Sequence, residues 1–397
     1  MNMIMAKSAN AIKAYQLVSI LQKRFVDKLN FLSSTLGENK NFEKVVWFRD
    51  NGIHGGGNRF EARDNVLFNT ASVNVSQVHY DEDETKSLQS ATAISTIIHP
   101  KNPNVPSIHI HISLTCLRDG SSYWRVMADL NPSLQNDEDK EVFNNSLKEL
   151  SNETYEEGIK QGDKYFFIPA LNKHRGVCHF YLENYKTQNE SDAFLFAQNL
   201  GEGIIDTYIN IIENAFKTRT KFSVQDIKKQ LDYHTLYLFQ VLSLDRGTTS
   251  GLLVHNQNDI GIMGSLPSFI NKNLLKSWQE KVEKPQDELI ENLVKQIGDR
   301  GIIDKNTKEK LAQKVREHYK KSKDTITTLE NESSLHGELV KKEKELLGIQ
   351  EEIKQELIKL NQKEKELVQE IAGEEKLIAD INKKIQNIKN LGRDSNC

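Results

Sequence analysis

Cysteine is nearly missing from this chain. Cys116, Cys178 and Cys397 are the only three in 397 residues, and their wide spacing fits neither a zinc-ligand pattern nor a disulfide framework. They read as free thiols of a reducing compartment. Net charge is also lacking: the formal value of -3 offers no global attraction for nucleic acid or for an anionic membrane. The opening stretch "MNMIMAKSANAIKAYQLVSILQKRF" has no uninterrupted apolar core of the length that a signal peptide or membrane span needs. Its Ile12, Tyr15, Val18, Leu21 and Phe25 fall instead on one face of an expected helix. A soluble, cytoplasmic protein is expected. After Trp278 glycine and aromatic residues become scarce, and Lys and Glu dominate.

With 37% hydrophobic and 8% aromatic residues, the chain can bury a sizeable core, so one large domain with an appendage is expected. Between Val45 and Ser268 short apolar alternations are bounded by Gly, Asn, Asp and Pro. "SIHIHISLTCL" alternates strictly, which puts His109, His111 and Ser113 on one strand face and Ile108, Ile110 and Ile112 on the other. The "RDG" turn then leads into "SSYWRVMADLNP", an antiparallel hairpin. "DAFLFAQNLGEGIIDTYINIIENAFK" has helical spacing. Hairpins mixed with long helices give an α+β domain. The run Val241 to Leu244 reads as a strand ending in Asp245 and Arg246, and Leu252 to Val254 with Ile260 to Met263 read as a hairpin around "HNQND".

From Leu335 to Ile388 apolar residues recur at three and four over several heptads, the spacing of a coiled coil. Gly348 and Gly373 each weaken that helix by about 1 kcal/mol relative to Ala, and nothing in the pattern names its partner. The expected organisation is a domain over 1–280, a helical linker over 281–329 and a coiled coil over 330–397.

Four stretches carry a family likeness in order and spacing: "GGGNRFEARDNVLFNTASVNVSQVHY", "SATAISTIIHPKNPNVPSIHIHISL", "YWRVMADLNPS" and "LDRGTTSGLLVHNQNDIGIMGSLPS". Together they resemble the oxygen-dependent coproporphyrinogen III oxidases. The resemblance implies a flat antiparallel sheet covered by helices on both sides, a homodimer, and no organic cofactor, with molecular oxygen as co-substrate. The implied reaction takes two propionate carboxyls from coproporphyrinogen III as carbon dioxide and leaves the vinyl groups of protoporphyrinogen IX, on the route to haem.

The likeness also implies a site. His109 matches the family's proton donor, and Ser95 and His99 match pocket positions. Four pyrrole N–H groups face the centre of a porphyrinogen, so a carboxylate there accepts several of them; Asp245 is the candidate and Asp129 the second choice. Arg246 either pairs a propionate or holds Asp245, and Arg175, which opens the segment "RGVCHFYLEN", is expected among the substrate contacts, as are His111 and Ser113. Departures from the pattern are equally specific. His111 and Ser113 stand where relatives carry Asn-x-Arg; His255, Asn256 and Gln257 replace a Gly-Gly-Arg; Val126, Met127 and Ala128 replace three glycines. Arg125, four residues before Asp129 on the same strand face, is the candidate replacement cation. No metal is expected, because His99, His109 and His111 fit no standard zinc spacing, and Ala170 and a residue near Asn144 occupy the places of two further family histidines. Two function classes follow: an oxidase with a coiled-coil extension, which is the expectation adopted, or a tetrapyrrole-binding or assembly module working through its tail.

Overall fold

The computed structural model describes residues 2–63, 65–245, 248, 251–253, 259–321 and 353–386. Seven strands form one antiparallel sheet in sequential order. They are β1 (Glu43–Phe48), β2 (Gly55–Arg63), β3 (Phe68–His79), β4 (Leu88–Pro100), β5 (Ser107–Leu117), β6 (Ser122–Asn131) and β7 (Cys178–Tyr185). The strict alternation of β5 sets the register of the whole sheet, because Ile108, Ile110 and Ile112 pair in line with Ile98, Thr96 and Ile94 of β4 and with Leu130, Ala128 and Val126 of β6. The apolar side lies under α1 (Ala9–Leu36) and α4 (Glu190–Thr218), where Leu21, Phe25, Ile204 and Tyr208 meet Ile112 and Val126 in one buried cluster. Each such side chain removed from water contributes about 1.5–3 kcal/mol.

The inward stripe of α1 keeps Val18, Leu21 and Phe25 of the expected face and departs from it toward the N-terminus. Ala11, Ala14, Leu17, Val18, Leu21 and Phe25 are buried, whereas Ile12 is 45% exposed. The 3.6-residue period carries the stripe over small alanines, which give little apolar signal.

The opposite side of the sheet is polar, and one row across it reads Asn74, Ser95, His111, Met127 and Tyr181. It is covered by α3 (Tyr155–Phe166) and α5 (Val224–Ser243). Here the expected strand at Val241 to Leu244 is overturned: Val241 to Ser243 form the last turn of α5. Every residue from Tyr233 to Ser243 is buried, and a helix enclosed on all sides shows the same continuous apolar run as an interior strand. The hairpin expected after it is also overturned, since residues 251–253 are helical and Asp259–Met263 form α6. Arg246, His255, Asn256 and Gln257 lie outside the described residues.

Beyond α6 come α7 (Lys272–Ser277), α8 (Gln286–Gln296) and α9 (Lys305–Lys321). The segment expected to be a helical linker is packed into the same unit, which extends over residues 1–323. Gln286 Nε2 (2.8 Å) and the Tyr319 hydroxyl (3.2 Å) both donate to the Ser243 carbonyl, one of the carbonyls that a helix end leaves without an internal partner. Together they fix the end of α5 from which Asp245 emerges. Residues 324–397 form a second unit, in which 353–386 are one continuous helix with exposed side chains; the heptad positions from Leu335 to Ile349 and Ile388 lie outside the described residues. Cys116 and Cys178 are buried free thiols. No helix among the described residues is long and apolar enough to cross a membrane.

Candidate active site

A cavity of about 310 Å³ opens on the polar side of the sheet, at the small end of the range for small-molecule sites. Its floor is formed by the strands and its rim by α3, α5 and Asp245, Thr248, Gly251, Gly261, Ile262 and Ser265; Ser95, His109, His111 and Arg125 line it as well. Five of the ten residues expected in the site therefore converge on one space.

Asp245 enters from the end of α5, with the Tyr165 hydroxyl donating to Oδ2 and the Thr248 backbone N–H to Oδ1, each at 2.6 Å. Burial pushes this carboxyl up, but the two hydrogen bonds outweigh it and the net shift is downward. A carboxylate has about four lone-pair sites, and among the described residues Tyr165 and Thr248 supply the donors to this one. Burial, with the Asp245 charge adding to it, holds the Tyr165 hydroxyl well above its ordinary value, so it stays a donor.

His109 is held from behind. Its Nδ1 stands 3.1 Å from Arg175 Nη2 and 3.2 Å from Asp129 Oδ1. A bare Nδ1 accepts from Arg175 and a protonated one donates to Asp129, so both protonation states find a partner while Nε2 is left for the cavity. Asp129 is fully buried, and its Oδ2 accepts from Arg175 Nη2 at 3.0 Å and from Asn131 Nδ2 at 2.6 Å. Burial raises this carboxyl too, but Arg175 and His109 bring it below the usual range.

The remaining expectations divide. Asp129 and Arg175 do not line the cavity: Arg175 is buried, stacked between Phe166 (4.8 Å) and Tyr237 (5.1 Å). They are supports of His109 rather than contacts of a ligand. His99 shares the strand face of Ser95 but passes beneath α5, where it packs against Tyr233, His234 and Tyr237, its Nδ1 3.1 Å from Ser107 Oγ. The helix covers it, and burial holds its pKa well below the ordinary value. Ser113 lies outside the lining and is 3.0 Å from His111 Nε2. The His111 ring is pushed down to about 3 by burial, with Arg125 adding to the effect, so it is neutral at ordinary pH. Arg125 is in the lining as expected, with Nη2 3.0 Å from Glu183 Oε1 and a buried Nε that hydrogen-bonds to none of the described residues. Of the three residues standing for glycines, Met127 alone faces the cavity; Val126 and Ala128 belong to the apolar core. The ring nitrogens of His99, His109 and His111 do not come together as a metal-binding group.

The sequence reading missed Trp47, Arg49, Asn74, Tyr165 and Tyr237, all in the lining. Trp47 donates from Nε1 to Asn74 Oδ1 at 3.2 Å and lies across Gly57, where any β-carbon would come within 2.7 Å of the indole. Arg49 is buried against the Tyr80 ring, and its Nε, 3.9 Å from Asp50 Oδ2, makes no hydrogen bond to the described residues. A signal for it existed: Trp47 and Arg49 are two apart at a strand end, so they share a face. Tyr165 and Tyr237 sit on helices far off in sequence and carried no such signal.

Residues 13–298 match the family model described as coproporphyrinogen III oxidase. Curated relatives named "Oxygen-dependent coproporphyrinogen-III oxidase, mitochondrial" include those of Homo sapiens, 28% identical over 257 residues, and Rattus norvegicus, 28% over 266. These alignments cover 57% and 61% of this chain and 55% and 58% of the relatives, so the chain matches somewhat over half of their length. With the family match spanning most of the chain and the antiparallel sheet that the motifs implied, the chain belongs to the coproporphyrinogen III oxidase family.

Proposed function

We propose that the cavity binds coproporphyrinogen III and carries out its oxygen-dependent oxidative decarboxylation toward protoporphyrinogen IX; the relatives are named as oxygen-dependent coproporphyrinogen-III oxidases. The observation that carries this reading is the pairing of an anion, Asp245, with a backed imidazole, His109, on the walls of one cavity. Asp245 accepts pyrrole N–H bonds and makes the ring electron-rich, which lets it reduce oxygen directly. Per propionate, R–CH2–CH2–COO⁻ with O2 and one proton gives R–CH=CH2, CO2 and H2O2. The C–COO⁻ bond supplies the electron pair of the new double bond, a hydride equivalent leaves the carbon next to the pyrrole, and oxygen takes the two electrons. Arg175 and Asp129 support the assignment of proton delivery to His109 Nε2. Arg125 and Arg49 are the cations toward the substrate carboxylates. No organic cofactor enters this scheme.

Adding coproporphyrinogen III to the protein without oxygen, then admitting air, should yield protoporphyrin after oxidation of the product. Binding without turnover would favour the second reading, a module working through its tail. That reading has its own support: Leu357, Ile371, Ile378 and Ile385 fall at one heptad position and Ile353, Leu360, Leu367 and Ile381 at the other, all exposed. Isoleucine predominates at the first position, leucine and isoleucine share the second, and Glu364 and Glu374 interrupt the two rows; exposed rows of this kind pair with another helix, and a second copy of this chain is the partner we assign to the tail.

A further inference from the structure

We propose that Asp163, His174 and His179 bind a divalent transition-metal ion, with zinc the ion their donors fit best. The side chains bring one ligand atom each within 4.8 Å of one another, and none of the three lines the cavity. His179 is the buried member. Its Nε2 lies 2.7 Å from the Arg175 carbonyl, and its Nδ1 lies 2.9 Å from Asp163 Oδ1. A carbonyl only accepts, so Nε2 carries the proton and a neutral ring presents a bare lone pair at Nδ1 to a carboxylate oxygen. Two acceptors at that distance need positive charge between them, which either a second ring proton or a metal ion supplies. The bond from the distal ring nitrogen to a backbone carbonyl is also the outer support that metal-ligating histidines almost always have.

The spacing suits a small tetrahedral ion. Zinc–ligand bonds of about 2.0–2.1 Å place donor atoms about 3.3 Å apart, so Asp163 Oδ1 and His179 Nδ1, now 2.9 Å apart, would open slightly to admit the ion. His174 closes the third position by a change of its exposed side chain, and its ring is already stacked on that of His179 with centroids 5.2 Å apart. The backbone holds the pair in place: a β-carbon on Gly162 would come within 2.7 Å of the His179 carbonyl carbon, so glycine there lets α3 bring Asp163 against β7. Phe166 and Phe167 stand beside the His179 and His174 rings at 5.2 and 5.1 Å. Two imidazoles and a carboxylate favour zinc over magnesium or calcium, and the fourth position is left for water.

The ion's role is structural. His174 immediately precedes Arg175, so a bound ion ties the segment that carries Arg175 to α3 and β7 and stiffens the support behind His109.

Full-length protein stripped by a chelator should take up one equivalent of Zn2+ with a rise in melting temperature. Co2+ in its place should show the intense visible bands of a tetrahedral site. His174→Ala should weaken Zn2+ binding by at least about tenfold, since loss of even an outer partner costs 10- to 100-fold, and should remove the zinc-dependent rise while leaving the metal-free melting temperature close to wild type. Asp163→Asn should weaken binding as well. No saturable binding, a cobalt spectrum of the hydrated ion only, or binding unchanged in His174→Ala overturns the proposal.

Discussion

Tyr165 and Asp245 meet at 2.6 Å although eighty positions separate them in the chain, and their hydrogen bond aims a carboxylate from the end of one helix at the wall of another. Asp245→Asn should leave the fold intact and abolish turnover, because an amide cannot match a carboxylate as acceptor of several pyrrole N–H groups. Tyr165→Phe should act more gently. Burial raises the Asp245 carboxyl and Tyr165 is the chief counterweight, so losing the phenol should move the acid limb of the pH–rate profile to higher pH. An unmoved limb would detach Asp245 from the rate.

His109→Gln should lower kcat by about 10²–10⁴, the range for a lost general acid, with a much smaller change in KM. An effect on KM alone would make His109 a positioning residue. Asp129→Asn is expected to show first in stability. It leaves Arg175 charged and buried without its counterion, at a cost of about 3–5 kcal/mol, readable as a fall in the denaturation midpoint.

Arg125→Ala should weaken coproporphyrinogen binding by about 1.5–3 kcal/mol with little change in thermal stability, since its side chain is 36% exposed. Arg49→Ala should weaken binding on the same scale and also lower stability, because Arg49 is buried. Ligand binding identical to wild type in both variants would remove the arginines from substrate recognition.

His99 and His234 are buried side by side with ring centroids 5.1 Å apart. Burial holds both below the ordinary value of 6.5, His234 at about 3. Below about 6.5 the unfolded chain binds protons that the native state does not, so stability falls as pH drops, for His234 down to about 3 and by up to about 1.4 kcal/mol per unit, with His99 acting in the same direction. Melting temperatures measured down the pH scale should show this slope, and His234→Gln should flatten it. An equal slope in the variant would assign the acid sensitivity to other groups.

Truncation after Lys323 should leave the first unit folded and soluble, because residues 324–397 form a separate unit. If the tail pairs two copies, the truncated protein should have a smaller mass in sedimentation equilibrium than the full chain. Insolubility of the truncated form would show that the tail supports the first unit after all.

The strict alternation of β5 was enough to place His109 and His111 on one face and three isoleucines on the other, since a period of two has only one way to bury its apolar half. The motif around Asp245 was equally readable, but the element carrying it was not. Tyr233 to Ser243 are buried on every side, and a stretch as short as Val241 to Leu244 does not record whether its period is 2 or 3.6. For that reason the expected strand turned out to be the end of a helix.

What the sequence determined by itself was local: the strand faces, the long helices α1 and α4, the family, and the candidates Ser95, His109, His111, Arg125 and Asp245. Tertiary structure decided which polar residues reach the cavity and which stand behind it. Asp129 and His109 are cross-strand partners, and His99 lies one register step beyond Ile97 on the cavity side, yet only His109 of these three lines the space. Strand alternation assigns a face and says nothing of what covers it. Here α5 packs over His99, while Arg175 and Asn131 enclose Asp129, and those contacts join residues too far apart in the chain for any local pattern to record.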